Sequence, residues 1–345
     1  MAFRVKLKGA YGLDCPDVVL RCVVGGLIAT TVVAIWIYCF WPVVLFLTEA
    51  IPILSVEAWQ FATGFSIGLI GWIGFSCWTT SVHCIWTSMR VKKEVARRMI
   101  EMVDDWEHVG SVLDVCCGRG LLLNSAALAM KHFQSTDVNP IDDEKTESGG
   151  RGGGQADSGT GGQESGETLS AGAETILKQS KRLHAGTTPS RVREALGGSR
   201  KSKKVYGVDI WRPSDLTQNS QVVTVYNASV EGVAGLADIR TADARELPFP
   251  NSTFDVVFCS LSLHLVGAEF GRRTAQARKE RSRALMEMVR VVKPGGMILI
   301  WDIFHFLEYV ELLNDLKTIE RVTMSEPIRA FMLKSHIICA TKRKR

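Results

Sequence analysis

Two stretches near the start of the chain constrain the fold more than anything else. Residues 22–47, "CVVGGLIATTVVAIWIYCFWPVVLFL", and 61–86, "FATGFSIGLIGWIGFSCWTTSVHCIW", each hold 26 residues without an Asp, Glu, Lys or Arg. A helix needs about 20 apolar residues to cross the hydrocarbon core of a bilayer, so both are long enough. A buried core helix is the alternative, but two uncharged runs of this length argue against it. A cleaved signal peptide fits less well, because the apolar region is too long and no small-residue cleavage site follows. The pattern predicts a transmembrane hairpin within residues 1–90, with spans at about 22–47 and 61–86. Trp36, Trp41, Trp59 and Trp86 lie within or near the ends, in partial keeping with an interfacial aromatic belt. Pro42 is expected to kink the first run, and the glycines of the second suit close helix packing.

The flanking charges give an orientation. Arg4, Lys6, Lys8 and Arg21 precede the first run, and Arg90, Lys92, Lys93, Arg97 and Arg98 follow the second. The connection "TEAIPILSVEAWQ" has two glutamates and no Lys or Arg. By the positive-inside rule, both termini and the body of the chain face the cytoplasm or the equivalent organellar compartment. The expected localisation is therefore an integral, two-pass membrane protein.

The nine cysteines are scattered, and none forms a Cys-x-x-Cys pair. Neither a disulfide framework nor a metal site is expected from them. The net charge of +5 comes largely from local basic clusters, which favours contact with a membrane surface and gives no expectation of nucleic-acid binding. Nothing in the sequence sets an oligomeric state.

Beyond the membrane runs, residues 91–109 have Val91, Val95, Met99, Met102, Val103 and Trp106 spaced for one helical face. The strand "SVLDVCC", a glycine turn and the helix "LLLNSAALAMKHF" follow. Between about 141 and 204 the composition changes: ten of the 25 residues in 148–172 are glycine, and a basic stretch follows. Too little apolar surface is available there to offset chain entropy, so a disordered insertion is expected. Patterning resumes with the strand "KVYGVDIW", and "SVEGVAGLADIRTADARELPF" reads as a helix, a short strand and a turn. "FDVVFCSLSLHLV" reads as a buried strand, and "RSRALMEMVRVVKPGG" as a helix closed by Pro-Gly-Gly. "MILIWDI" and "SHIICATKR" complete the set. Alternating strands and helices predict an α/β, Rossmann-like doubly wound parallel sheet of about seven strands, spanning 91–345 around the insertion. Such sheets bind ligands at the carboxyl ends of their strands.

The loop "VLDVCCGRG", 112–120, has an acid, then glycines at 118 and 120. A dinucleotide fingerprint needs a third glycine where Leu123 stands, and a Walker loop needs Gly-Lys-Ser/Thr, which is absent. Asp114 also lies where a pyrophosphate would be repelled. An acid here suits a cationic ligand. S-adenosylmethionine has an ammonium, a sulfonium and no phosphate. Asp209, ending the second strand, can accept both hydroxyls of its ribose, and Asp243 in "ADARELPF" can accept the adenine amino proton. In order, "VLDVCCGRG", "GVDIW", "DARELPFPNSTFDVV" and "VRVVKPGGMILI" are similar to motifs of the class I S-adenosylmethionine-dependent methyltransferases. The resemblance covers about 109–300, insertion apart, and extends to the broad group that includes the ubiquinone/menaquinone and small-molecule enzymes. It implies that Asp114, Cys116, Gly118 and Gly120 border the methionine part, and that Asp209 with Ile210 holds the ribose. It further implies Asp243 with Ala244 at the adenine and Ser260 facing the sulfonium. The chain departs from the family in having Cys116 in place of the first loop glycine, and in the long insertion.

Methyl transfer is chiefly a matter of alignment, and a general base is optional. His264 is the candidate base and Asp302, after "MILIW", the second candidate for the same role; packing or capping is the competing role for a histidine near a strand end. Cys116 and Cys117 are read as small packing residues, since no partnering histidine lies nearby. The absence of an Asn-Pro-Pro-Tyr/Phe element argues against methylation of exocyclic amines. The expected acceptor is a small molecule, with membrane anchoring favouring a lipid-soluble one. The competing reading is a non-catalytic membrane adaptor that keeps the fold. The intact acids at three strand ends speak against it, as they do against a dinucleotide oxidoreductase.

Overall fold

The computed structural model describes residues 7–135 and 203–344. The insertion expected at 141–204 lies outside them, except that Lys203 is described and Lys204 already begins a strand.

The first apolar run is two helices, α1 (Pro16–Tyr38) and α2 (Phe40–Ala50). The expected single span of 22–47 is corrected by this break at Cys39. A proline removes the bond to the carbonyl four residues back and its ring clashes with it. For Pro42 that residue is Tyr38, where α1 stops; Pro42 itself sits in the first turn of α2, where a missing N–H costs nothing. Helix α1 also starts earlier than the uncharged run, so that Arg21 lies inside it. Helix α3 (Val56–Trp86) is capped by Ser55 and is about 46 Å long. It runs through a π-helical turn, Thr87–Val91, into α4 (Lys92–Glu101).

Helices α1 and α3 pack side by side. A Cβ on Gly74 would lie 3.0 Å from that of Ala29, and one on Gly26 would lie 3.0 Å from the Trp78 ring. Gly64, Gly68 and Gly71 meet nothing, so of the glycines expected to pack in the second run only Gly74 is at the helix contact. Only 17% and 11% of the most apolar windows of the two long helices are buried. A soluble core helix would be mostly covered; here Leu20, Ile35, Phe61, Phe65 and Trp72 stand exposed, and both helices are candidate membrane spans by length and composition.

The remainder is an eight-stranded mixed sheet. Its strands are β1 (Ser111–Val115), β2 (Lys204–Asp209), β3 (Ala237–Thr241), β4 (Phe254–Ser260) and β5 (Val292–Asp302). Then follow β6 (Ile319–Met324), β7 (Ile328–Ala330) and β8 (Leu333–Lys342). The order is β3-β2-β1-β4-β5-β8-β6, with β7 paired to β8. Strands β1 to β5 are mutually parallel, but β8 enters antiparallel between β5 and β6, so the wholly parallel sheet expected from the alternation is corrected at that edge. The Pro-Gly-Gly after the seventh helix lies within β5, where the register against β4 jumps from Val292 to Met297, so it forms an irregularity rather than a helix stop.

Helices cover both faces. α5 (Leu121–Ser135) belongs to one layer with α4, and α7 (Ala275–Val291) and α8 (Phe306–Asp315) to the other. α6 (Gln221–Val230) leads from the loop after β2 towards β3. Successive strand residues point to opposite faces, so Val112 joins the first core while Leu113 and Val115 join the second. Burial on both faces explains why these strands read as unbroken apolar runs.

Close packing of α5 on β2 depends on one glycine. A Cβ on Gly207 would lie 2.3 Å from Leu123 Cδ1. In a dinucleotide fold the third loop glycine gives the helix room against its strand. Here Leu123 fills that place, and the strand yields the space.

Candidate functional site

The first parallel strands end around one cavity of roughly 920 Å³, counting its open mouth. It sits where the strand order reverses, between β1 and β4.

Its floor is the loop after β1. Cys116, Gly118 and Gly120 all have positive φ, at 56°, 52° and 80°. The turn thus needs a left-handed residue in the place of Cys116, which is the physical reason for a glycine there and a strain for a cysteine. The loop is tied to β2 by Cys117 N donating to Val208 O at 3.0 Å and Gly118 N donating to Asp209 Oδ2 at 2.9 Å. Asp209 Oδ1 accepts from Trp211 N at 2.6 Å. Each carboxylate oxygen therefore holds one backbone N–H and keeps a lone pair for a further donor. Burial raises the pKa of Asp209 despite these two bonds and the nearby Asn219 side chain, all of which favour the charged form.

Asp114 is 2% exposed and accepts from Leu123 N at 2.9 Å, in the first turn of α5. Burial raises its pKa to about 8, so the carboxyl is largely neutral at pH 7. Its repulsion of a phosphate, argued from sequence, is correspondingly weakened; what it offers is an acid that ionises when a cation comes close. The thiols of Cys116 and Cys117 are pushed well above the usual range, the first by its contact with Cys259 and by burial, the second by burial. Neither is a thiolate in this site.

Asp114, Cys116, Gly118, Asp209, Ile210, Asp243 and Ser260 all line the cavity. Gly120 and Ala244 do not: Gly120 turns the chain into α5, and Ala244 is 5% exposed in the core. Asp243 is already engaged. Arg245 donates to it through N, Nε and Nη2 at 2.7–3.1 Å, and this guanidinium holds its carboxyl below the usual carboxylate range.

His264 lies just past β4, as expected, in a short 3-10 turn, Leu263–Leu265; the strand itself stops at Ser260, short of the full stretch read as strand. Leu261, Ser262, Leu265 and Val266, on either side of it, wall the cavity, while His264 itself, 6% exposed, lies behind them and is not one of the lining residues. Its Nδ1 lies 2.5 Å from Asp302 Oδ1, and its backbone N donates to Asp302 Oδ2 at 3.0 Å. Asp302 is fully buried and also accepts from Ile303 N and Tyr309 Oη. The pair is rigid, with the carboxylate fixing the ring.

Sequence reasoning missed a third group of cavity residues: Tyr11 and Asp14 from the segment before α1, Lys92 from α4, and Arg119, Arg212 and Asn219. No local signal marks Tyr11, Asp14 or Lys92, since Asp14 stands about a hundred residues before the loop it faces, whereas Arg119 lies within the acid–glycine loop and Arg212 just after the second strand motif.

Residues 183–300 match the family described as "Methyltransferase domain". A ubiquinone/menaquinone biosynthesis C-methyltransferase, UbiE, of Laribacter hongkongensis is 32% identical over 143 residues, covering 39% of this chain and 52% of the relative. The corresponding protein of Ectopseudomonas mendocina is 40% identical over 72 residues, 21% of this chain and 23% of the relative. The chain thus spans about half or less of the length of these relatives. Among solved structures, the YcgJ protein of Bacillus subtilis aligns over 73% of this chain and 99% of its own at 13% identity, with a TM-score of 0.39. The magnesium protoporphyrin IX methyltransferase of Synechocystis, solved with bound SAH, aligns over 73% and 83% at 11% identity, with a TM-score of 0.38.

Proposed function

We propose that this chain, which carries a methyltransferase domain, is a membrane-anchored enzyme that transfers a methyl group from S-adenosylmethionine to a small, lipid-soluble acceptor. The observation that carries the cofactor is the cavity at the switch point, with Asp114 and Asp209 on its floor and backbone N–H groups fixing Asp209. The fit follows from their donor sets. Asp209 keeps one lone pair on each oxygen, as vicinal ribose hydroxyls require, and Asp114 gains its charge beside a cation. Ile210, 42% exposed on the cavity wall, offers an apolar surface for the base, with Asp243 and Arg245 at its edge.

Bound S-adenosylmethionine supplies a methyl carbon already activated by a sulfonium leaving group. The chain's own task is to align, dry and, where the acceptor needs it, deprotonate. Leu261, Leu265 and Val266 wall the cavity with apolar surface and exclude water. His264 is the proposed base: Asp302 on Nδ1 fixes the ring and stabilises the imidazolium formed when Nε2 takes a proton. The exposed faces of α1 and α3 support residence in a bilayer, which concentrates apolar acceptors. The UbiE relatives are C-methyltransferases of ubiquinone/menaquinone biosynthesis, which supports the same acceptor class. The domain boundaries proposed are a membrane hairpin up to residue 90 and a catalytic domain after it, on the side where soluble cofactors are made.

The test is transfer of labelled methyl from S-adenosylmethionine into a membrane lipid extract by the full chain in detergent micelles. Label in the apolar fraction, lost in Asp209→Ala, is expected. Failure of the wild-type chain to bind the cofactor, with Asp209→Ala behaving identically, would overturn the enzyme reading in favour of an adaptor.

A further inference from the structure

The segment Leu7–Cys15, just before α1, lies on the methyltransferase domain as a strap. Glu231 Oε1 accepts from Lys8 N, Gly9 N and Tyr11 Oη at 2.6–2.8 Å, and Asn227 Nδ2 donates to Ala10 O at 3.1 Å. Leu13 and Thr217 exchange bonds, and Asp14 N donates to Ser88 Oγ in the π turn that ends α3. Gly12, at φ 77°, brings the strap onto Arg119: a Cβ there would lie 2.9 Å from Arg119 Cδ.

Four polar atoms in this corner are buried without a hydrogen-bond partner among the described residues: Asp14 Oδ2, Arg119 Nε and the amide oxygens of Asn124 and Asn219, of which the first two belong to charged groups. Asp14 is 8% exposed and Arg119 9%, and both line the cavity. Asp14 Oδ1 is held by Lys92 Nζ at 2.6 Å, and Arg119 Nη1 donates to Thr217 O at 3.3 Å, so each side chain is fixed with one group left over. A buried acceptor on an acid and a buried donor on a base are each costly alone. Both are satisfied together by a ligand that carries an ammonium and a carboxylate on one small centre.

We propose that Asp14 and Arg119, with Lys92 behind them, bind the α-amino-acid end of the cofactor, so that the membrane hairpin itself contributes to the cofactor site. The ammonium donates to Asp14 Oδ2 and the carboxylate accepts from Arg119 Nε. This rests on the methyltransferase reading above. Lys92 adds a second cation for the carboxylate and ties the strap to α4, at the far end of the second apolar helix. Asp14 and Lys92 thus come from opposite arms of the hairpin and meet only when α1 and α3 are paired.

The experiment compares two ligands on the full chain in phosphatidylcholine nanodiscs by calorimetry: S-adenosylhomocysteine, which keeps the amino-acid end, and 5′-methylthioadenosine, which lacks it. Asp14→Asn and Arg119→Gln should each weaken S-adenosylhomocysteine by about thirtyfold or more, the lower range for breaking a buried charged bond, and leave 5′-methylthioadenosine unchanged. Arg119→Gln keeps the strap's bonds to Glu231 and Asn227, and carries the test if Asp14→Asn does not fold. Equal loss for both ligands in Arg119→Gln, or no loss for either, overturns the proposal while the methyltransferase reading stands. If the wild-type chain binds neither nucleoside, both fall.

Discussion

Asp114 shows how much a single side chain's charge depends on its surroundings. Its folded-state pKa, raised from 3.8 to about 8 by burial, lies above the unfolded value, so the native state holds the proton more tightly through that interval. Stability from this group is therefore full below about pH 4 and falls as pH rises towards 8. Asp114→Asn, which still accepts from Leu123 N, should raise the melting temperature more at pH 8 than at pH 5. A uniform shift would show that the carboxyl does not titrate in this window. A cation beside Asp114 lowers its pKa, so cofactor binding at pH 7 should release up to one proton. Calorimetry in buffers of differing ionisation enthalpy reads that number directly, and a value of zero would count against Asp114 bordering the cationic end. Cys116 has a similar lesson. Its left-handed backbone suits glycine, and its thiol is kept neutral by Cys259 and burial. Iodoacetamide at pH 7.5 should leave Cys116 and Cys117 unmodified in the folded chain. Cys116→Gly should retain cofactor binding, with a stability change within about 1–2 kcal/mol.

At the level of elements, the helix after the loop and the second strand share one space. Leu123 fills the gap that Gly207 leaves, and the backbone N of the same leucine holds Asp114. Gly207→Ala forces a methyl against Leu123 Cδ1 and should cost about 1–3 kcal/mol, with a loss of cofactor affinity as the loop shifts. Adding Leu123→Ala removes the clash. Chemical denaturation of the two single variants and the double should show coupling, the double being less destabilised than the sum. Simple additivity would mean that α5 moves away freely. The hairpin follows the same rule of room: Gly74 faces Ala29 at the α1–α3 contact, and Gly64, Gly68 and Gly71 face nothing. Substitution by leucine should disrupt the hairpin at Gly74 and be tolerated at Gly68, read as proteolytic sensitivity of the α2–α3 connection.

Across the whole molecule, the apolar hairpin and the domain are joined by more than a linker. Thr87 Oγ1, in the π turn, accepts from Phe331 N at 3.0 Å, and Ser88 holds the strap. The end of the long apolar helix is thus bonded both to the β7–β8 turn and to the segment before α1. A chain cut to start at residue 91 would lose Tyr11 and Asp14 from the cavity. It should bind S-adenosylhomocysteine more weakly than the full chain does; equal affinity would show that the strap is dispensable. For His264, His264→Gln should lower turnover while leaving cofactor affinity unchanged. Preserved turnover would assign the His264–Asp302 pair to packing alone.

By itself the sequence determined the apolar runs, the alternation of strands and helices, and the acid–glycine loop. Each is a matter of local periodicity or of neighbouring residues, and local signals survive in one dimension. Asp114, Asp209 and Ser260 were legible for this reason, since each stands at or beside the end of a strand that binds near the switch point. The tertiary structure alone decided the break at Cys39, the antiparallel entry of β8, the pairing of Leu123 with Gly207, and the placing of Asp14, Lys92 and Arg119 on one cavity. It also decided which acids are free: Asp243 is taken up by Arg245, while Asp14 keeps an unpartnered oxygen. These depend on contacts between residues far apart in the chain and on burial, which shifts a carboxyl's charge without changing a letter of the sequence.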